Sequence, residues 1–123
     1  MHCQLRSADR ILFDGSASIV VARSPRGEFA VMDGHAPLLA VLEAGPIRIE
    51  AEDGQRVFAA RHGTLRTTGD RVSVLVDFGV PLEEIDLDDV TSQLNASEEG
   101  EGPLEADERA YLTVLRQVKE QYG

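Results

Sequence analysis

The sequence predicts a mainly β protein with an α appendage: an N-terminal antiparallel β-sandwich over residues 1–80, followed by a short C-terminal α-helical hairpin over residues 81–123. Three observations carry that expectation. Up to Asp77, short runs of alternating apolar and polar residues are punctuated by Gly, Pro or Asp roughly every eight to twelve residues, the pattern of a sandwich or barrel. Beyond Gly79 the apolar period lengthens from two to about three and a half, which is helical spacing. The charge changes at the same place. Residues 1–80 hold nine arginines against ten acids, whereas residues 81–123 hold three cations against twelve acids.

The predicted strands, in order, cover 11–13, 18–22, 29–32, 47–52, 56–60, 63–67 and 71–76. In the fourth, Ile47, Ile49 and Ala51 point one way while Arg48, Glu50 and Glu52 point the other. Asp53-Gly54 then closes a hairpin into Val57-Phe58-Ala59, and Gly69-Asp70 closes the next. Val72, Val74 and Val76 alternate with Arg71, Ser73 and Asp77, as in a strand with one wet face. After the strands, Asp86 is placed to cap a helix that starts at Leu87, with Asp88 and Asp89 facing the positive end of the helix dipole. Leu87, Val90 and Leu94 share one face of it. The stretch 97–103, with two glycines and a proline among like charges, reads as a breaker. A second helix from Glu105 carries the stripe Tyr111, Val114, Leu115, Val118 and Tyr122, with Arg109, Arg116 and Lys119 nearer its C-terminal end. The two apolar stripes can cover each other or a face of the sheet.

Composition narrows the function. At 123 residues and 42 % apolar content the chain supports one compact domain with a small appendage. No run approaches the roughly 18 apolar residues of a membrane span, and Met1-His2-Cys3-Gln4-Leu5-Arg6 lacks the apolar core of a signal peptide, so a cytosolic location or a cytosolic membrane face is expected. The single cysteine, Cys3, excludes an internal disulfide and is read as incidental rather than nucleophilic. A net charge of −10, concentrated in the tail, disfavours nucleic acid and anionic lipid. His35, Asp33 and His62 are ligand and acid–base residue types, yet no spacing among them resembles a metal motif. They read as a solvated loop and a strand end. Asp77-Phe78-Gly79 shares its letters with the magnesium-binding element of protein kinases, but there is no Gly-rich phosphate loop and Lys119 is the only lysine. No catalytic residue, metal or cofactor is expected.

The most informative segment is 27–39, which couples a strand, a polar turn and an apolar shoulder. Asp33-Gly34 breaks the strand, Ala36-Pro37 fixes an extended dipeptide, and Leu38-Leu39 is expected to place two neighbouring apolar side chains at a loop tip. Gly27-Glu28, the strand after it, Gly34-His35-Ala36-Pro37-Leu38-Leu39, Ala44-Gly45-Pro46-Ile47-Arg48-Ile49 and Gly63-Thr64-Leu65 together resemble the epsilon subunit of F-type rotary ATP synthases of the bacterial type, through about residue 80. The resemblance implies a non-catalytic central-stalk subunit, peripheral on the cytoplasmic face of the cell membrane, that couples ion-driven ring rotation to ATP synthesis through the gamma subunit. It assigns Glu28, Met32, Gly34, His35, Ala36, Pro37, Leu38 and Leu39 to contact with the rotor-ring (c) subunits, a neighbouring sheet face to gamma, and the hairpin to occasional contact with the catalytic beta subunits. Met32 and Asp33 stand where many relatives carry an aromatic residue and a proline.

The hairpin departs further from that family. Many bacterial relatives bind ATP through Ile/Leu-Asp-x-x-Arg-Ala at the start of the first helix; here Ile85 and Asp86 fit, but Asp89 replaces the arginine and Val90 the alanine. A carboxylate repels a triphosphate, so ATP binding is expected to be weak or absent. The second helix has few cations to meet acidic loops, so weak inhibition of ATP hydrolysis is expected. The alternatives are an ATP-operated switch in the hairpin, a small β-sandwich enzyme using His35 and His62, and an interaction module of another assembly.

Overall fold

The computed structural model describes residues 1–98 and 106–123. Nine strands precede two helices: β1 (His2–Arg6), β2 (Ile11–Ser24), β3 (Gly27–Met32), β4 (Leu38–Leu42), β5 (Gly45–Ala51), β6 (Gly54–Ala60), β7 (Gly63–Thr67), β8 (Arg71–Val76), β9 (Gly79–Pro81), α1 (Leu87–Glu98) and α2 (Ala106–Tyr122), with a short 3₁₀ turn at Leu82–Glu84. The expected sandwich and helical hairpin are both present. Strands β1, β4 and β9 were not expected, and the separate strands at 11–13 and 18–22 are one.

That one strand builds the fold. Residues 11–16 of β2 pair with β1, and residues from Ala17 onward pair with β5 on one side and β3 on the other. The chain crosses from one sheet to the other there, with a register shift between Ala17 and Ile19. Asp14-Gly15-Ser16, residues that favour turns, mark a change of partner rather than a reversal. One sheet, A, therefore has the order β4-β7-β8-β1-β2, and the other, B, has β3-β2-β5-β6-β9. The pairs are antiparallel except β1 with β8, which run parallel.

Between the sheets lies a core in which Leu5, Val20, Val31, Ile49, Leu65 and Val72 have no exposed surface. Burying each such side chain contributes roughly 1.5–3 kcal/mol, which is ample for a sandwich of this size. Strand β6 is different, because Val57, Phe58, Ala59 and Ala60 are all buried. Phe58 and Ala60 face the inter-sheet core, while Val57 and Ala59 face outward into a second cluster with Ile85, Val90, Leu94, Leu112, Val114 and Val118. The helices thus pack on each other, and α2 packs on β5 and β6, satisfying both possible uses of the stripes. Leu112 joins that stripe although its spacing had not singled it out. Helix α1 starts as predicted: the Asp89 N–H donates to Asp86 Oδ1 at 3.2 Å and the Val90 N–H to the Asp86 carbonyl at 3.0 Å. It continues through Glu98, so it runs past Ser97, where the breaker was expected to begin; residues 99–105, with the rest of that breaker and the expected helix start at Glu105, lie outside the described residues.

Gly63 opens β7, paired with Leu42 on one side and Val76 on the other. A Cβ there would overlap the Leu75 carbonyl oxygen and sit 2.9 Å from the Val76 Cα, both backbone atoms that cannot move aside without breaking the β7–β8 ladder. Gly63→Ala is expected to lower stability by about 2–4 kcal/mol in urea unfolding. Gly15→Ala, whose Cβ would meet only the Phe13 ring at an ordinary 3.6 Å, is expected to change it by less than about 1 kcal/mol. Equal effects of the two substitutions would contradict this account.

Candidate functional site

The segment singled out in the sequence joins the two sheets at an open edge. Among the described residues strand β3 pairs only with β2 in sheet B, β4 pairs with β7 in sheet A, and the turn between them spans the gap. The His35 N–H donates to the Met32 carbonyl at 3.1 Å, and Gly34 holds φ at 82°, a left-handed conformation that other residues rarely adopt. His35 Nδ1 donates to the Ala36 carbonyl at 2.6 Å, which fixes the ring over the turn. Below the turn is an open groove of about 370 Å³ whose lining includes Arg26, Glu28, Phe29, His35, Leu38 and Ala40.

The expected contact residues divide between faces. In β3, Phe29 and Val31 turn inward, so Glu28 and Met32 lie on the outer face of sheet B, with Met32 56 % exposed. Leu38 and Leu39 do not sit at a loop tip. They open strand β4, and its alternation sends Leu38 inward against the core while Leu39 points out from sheet A, 72 % exposed. Gly34, His35, Ala36 and Pro37 lie in the connection between these faces. Glu28, His35 and Leu38 meet at the groove; Met32 and Leu39 are not part of its lining.

Sequence reading missed a second feature, the outer face of sheet A. Register places Val41 beside Thr64, Thr64 beside Leu75, Leu75 beside Arg6, and Arg6 beside Ile11, one row across five strands. Ile11, Leu39, Val41 and Leu75 are all more than half exposed on this face, with Thr64 and Arg6 between them in the row and Arg66 beside Leu39. The helices pack on the opposite sheet. One signal was available: Leu75 is apolar in the wet phase of an otherwise clean alternation.

Charged groups are tied into the framework. Arg48 donates from Nη2 to Glu28 at 3.0 Å and from Nη1 to the Tyr122 hydroxyl at 2.6 Å; the Tyr122 hydrogen bond is the main reason its pKa is raised. Burial pushes the Asp77 carboxyl up, but N–H groups of His62 and Phe78 and the Arg61 guanidinium, at 2.7–2.9 Å, outweigh it and hold Asp77 below its ordinary value. Arg61 also lies 4.4 Å above the Phe78 ring. The Asp77-Phe78-Gly79 triplet is therefore a fastened corner between β8 and β9. Burial raises the Cys3 thiol to about 12, with Asp14 adding to the effect, which leaves almost no thiolate at neutral pH. At the start of α1, Ile85 and Val90 are buried in the hairpin core, and the Asp89 carboxylate accepts from Gln93 at 2.9 Å. Among the described residues there is no group of three or more His, Cys, Asp or Glu placed to hold a metal, and no helix long and apolar enough to cross a membrane.

Comparison with known proteins agrees with this fold. The model of the ATP synthase Delta/Epsilon chain beta-sandwich domain matches residues 1–81. The ATP synthase epsilon chain of Streptomyces avermitilis is 40 % identical over 111 residues, covering 89 % of each chain, and that of Rubrobacter xylanophilus is 31 % identical over 124 residues, covering 97 % of this chain and 85 % of its own. A chain in the Euglena gracilis mitochondrial ATP synthase structure shares the fold at TM-score 0.72 and 21 % identity, covering 96 % of this chain and 76 % of that one. A sandwich matched over residues 1–81 and such identity across most of the chain mean that this protein belongs to the bacterial ATP synthase epsilon chains.

Proposed function

We propose that the chain is a non-catalytic central-stalk subunit of an F-type ATP synthase, carried peripherally on the cytoplasmic face of the membrane, whose sandwich over residues 1–80 fastens gamma to the ring of c subunits. The observation that carries this reading is the set of exposed apolar side chains on the outer face of sheet A. Ile11, Leu39, Val41 and Leu75, exposed on one face of the sheet that the helices leave uncovered, suit burial against a partner. Gamma is the assigned occupant. The turn is the assigned ring contact: Glu28 can accept from a cation of a ring loop, Gly34 lets backbone approach closely, and Met32, His35, Ala36, Pro37, Leu38 and Leu39 surround them. Torque then passes through a stiff sandwich to gamma, and nucleotide chemistry belongs to other subunits.

The hairpin over residues 81–123 is assigned a regulatory or vestigial part. Asp88 and Asp89 present carboxylates at the first turn of α1, where a triphosphate would need cations, and Val90 fills packing space in the hairpin core. These features disfavour ATP sensing. They also fit a hairpin that inhibits ATP hydrolysis weakly.

Co-expression with gamma from the same genome is expected to give a one-to-one complex on size exclusion. Leu75→Asp, at the centre of the row, is expected to weaken association about 30-fold or more, as loss of a buried apolar anchor does. Two folded proteins that elute separately, or an unaffected variant, would remove the gamma assignment. Isothermal titration with ATP is expected to show no saturable heat up to about 1 mM, and micromolar binding would restore the sensor reading. Truncation after Pro81 is expected to leave ATP hydrolysis by the assembled complex nearly unchanged; a several-fold rise would make the hairpin a true inhibitor.

A further inference from the structure

Arg48 stands where three elements meet. It lies in β5 opposite Val21 of β2, on the outer face of sheet B, with its side chain 24 % exposed. One end of its guanidinium holds the Tyr122 hydroxyl near the end of α2, and the other holds the Glu28 carboxylate on edge strand β3. The guanidinium carbon is also 5.9 Å from the Tyr122 ring centroid. Because the guanidinium is a rigid planar fork, fixing one of its ends restricts the direction of the other. Glu28 is the exposed member of the trio, at 46 %. Its cross-strand neighbour is Arg23, so the carboxylate also lies among cations on this face.

The rest of the hairpin is held differently. Val114 and Val118 of α2 belong to an apolar cluster with Val57 and Ala59, the Tyr122 side chain packs against the edge of the same cluster, and Lys119 donates to the Leu82 carbonyl at 3.3 Å. Loss of the Arg48 contact would therefore loosen the last turns of α2 without unseating the helix.

We propose that Arg48 couples Glu28 to the seating of α2, so that a partner cation which draws Glu28 away releases the Tyr122 end of the helix from the sheet. The identity of that partner as a ring loop rests on the function proposed above; the coupling itself belongs to the isolated chain. Linkage makes the effect reciprocal. An α2 end that has left Arg48 lets Glu28 engage its partner more readily, and an engaged Glu28 favours the released end.

Hydrogen exchange of the full chain, read over residues 116–122, tests this. Tyr122→Phe removes the hydroxyl and is expected to speed exchange there about two- to fivefold, the scale of a partly exposed charge-assisted contact. Glu28→Ala, on another element and at least 88 positions away in the sequence, is expected to do the same, while Glu28→Gln, which keeps an acceptor oxygen, falls between it and the native chain. The double substitution Glu28→Ala with Tyr122→Phe is expected to exchange no faster than Tyr122→Phe alone. Exchange in β2 and β5 serves as the folding control. An unchanged α2 in Glu28→Ala, an unchanged α2 in Tyr122→Phe, or single effects that multiply in the double variant would each overturn the coupling. Because the measurement needs no partner, it can fail while gamma association succeeds, and it can succeed while that association fails.

Discussion

Strand β2 is shared by both sheets, and the rest of the structure depends on that sharing. A strand of 14 residues is too long for one face of so small a sandwich, so it crosses at the Ala17–Ile19 register shift and gives each sheet a section of itself. The crossing leaves β3 as one edge and β4 as another, and the chain between them must bridge from sheet B to sheet A. The turn at Gly34 and the groove beneath it follow from that geometry. An edge of this kind exposes unpaired backbone groups, which proteins usually protect or use. Here the edge carries Glu28, and its connection carries His35, and both line the groove.

Alternation made much of the sheet legible in the sequence. Val72, Val74 and Val76, and Ile47 with Ile49, are buried on the side the pattern indicated. What escaped were elements in which a second surface altered the pattern. Leu38-Leu39-Ala40-Val41-Leu42 is apolar throughout, since its inward residues face the core and Leu39 and Val41 form an exposed patch, so no period of two was visible. Strand β1 has the alternation but lies between β8 and β2 through a parallel pairing that no local signal announces. In the candidate site, Glu28 and His35 were assigned through the family resemblance of the loop. Arg48 and Tyr122 were not, because contacts between residues 74 positions apart depend on register and helix docking rather than on spacing.

The hairpin explains the apolar excess in β6. Val57-Phe58-Ala59-Ala60 is buried on both faces, and such a continuous run marks a strand covered from each side. The cover is supplied by residues that also define the altered nucleotide motif. Ile85 and Val90 flank Asp86, which caps the helix, so this short segment is occupied with packing and capping. A larger residue than alanine at position 90 suits that packing, and Asp89 faces away from it toward Gln93. The acidic character of the first turn favours the helix through its dipole while it disfavours a bound triphosphate.

The two outer faces of the sandwich consequently have different fates. Sheet B keeps Val57 and Ala59 dry with its own helices, whereas sheet A leaves Leu75 and Val41 exposed. In the proposed stalk role, gamma and the hairpin would not compete for area, because they use opposite sides of one rigid core. A rotor joint benefits from that separation. The hairpin could shift on sheet B while the surface that transmits torque on sheet A stays unchanged, since close-packed cores carry strain without yielding. The residues positioned to carry information between a ring contact and the hairpin are then those that reach across sheet B at its edge. Arg48 does so with a single side chain, between a carboxylate that a partner can reach and a hydroxyl at the end of the last helix.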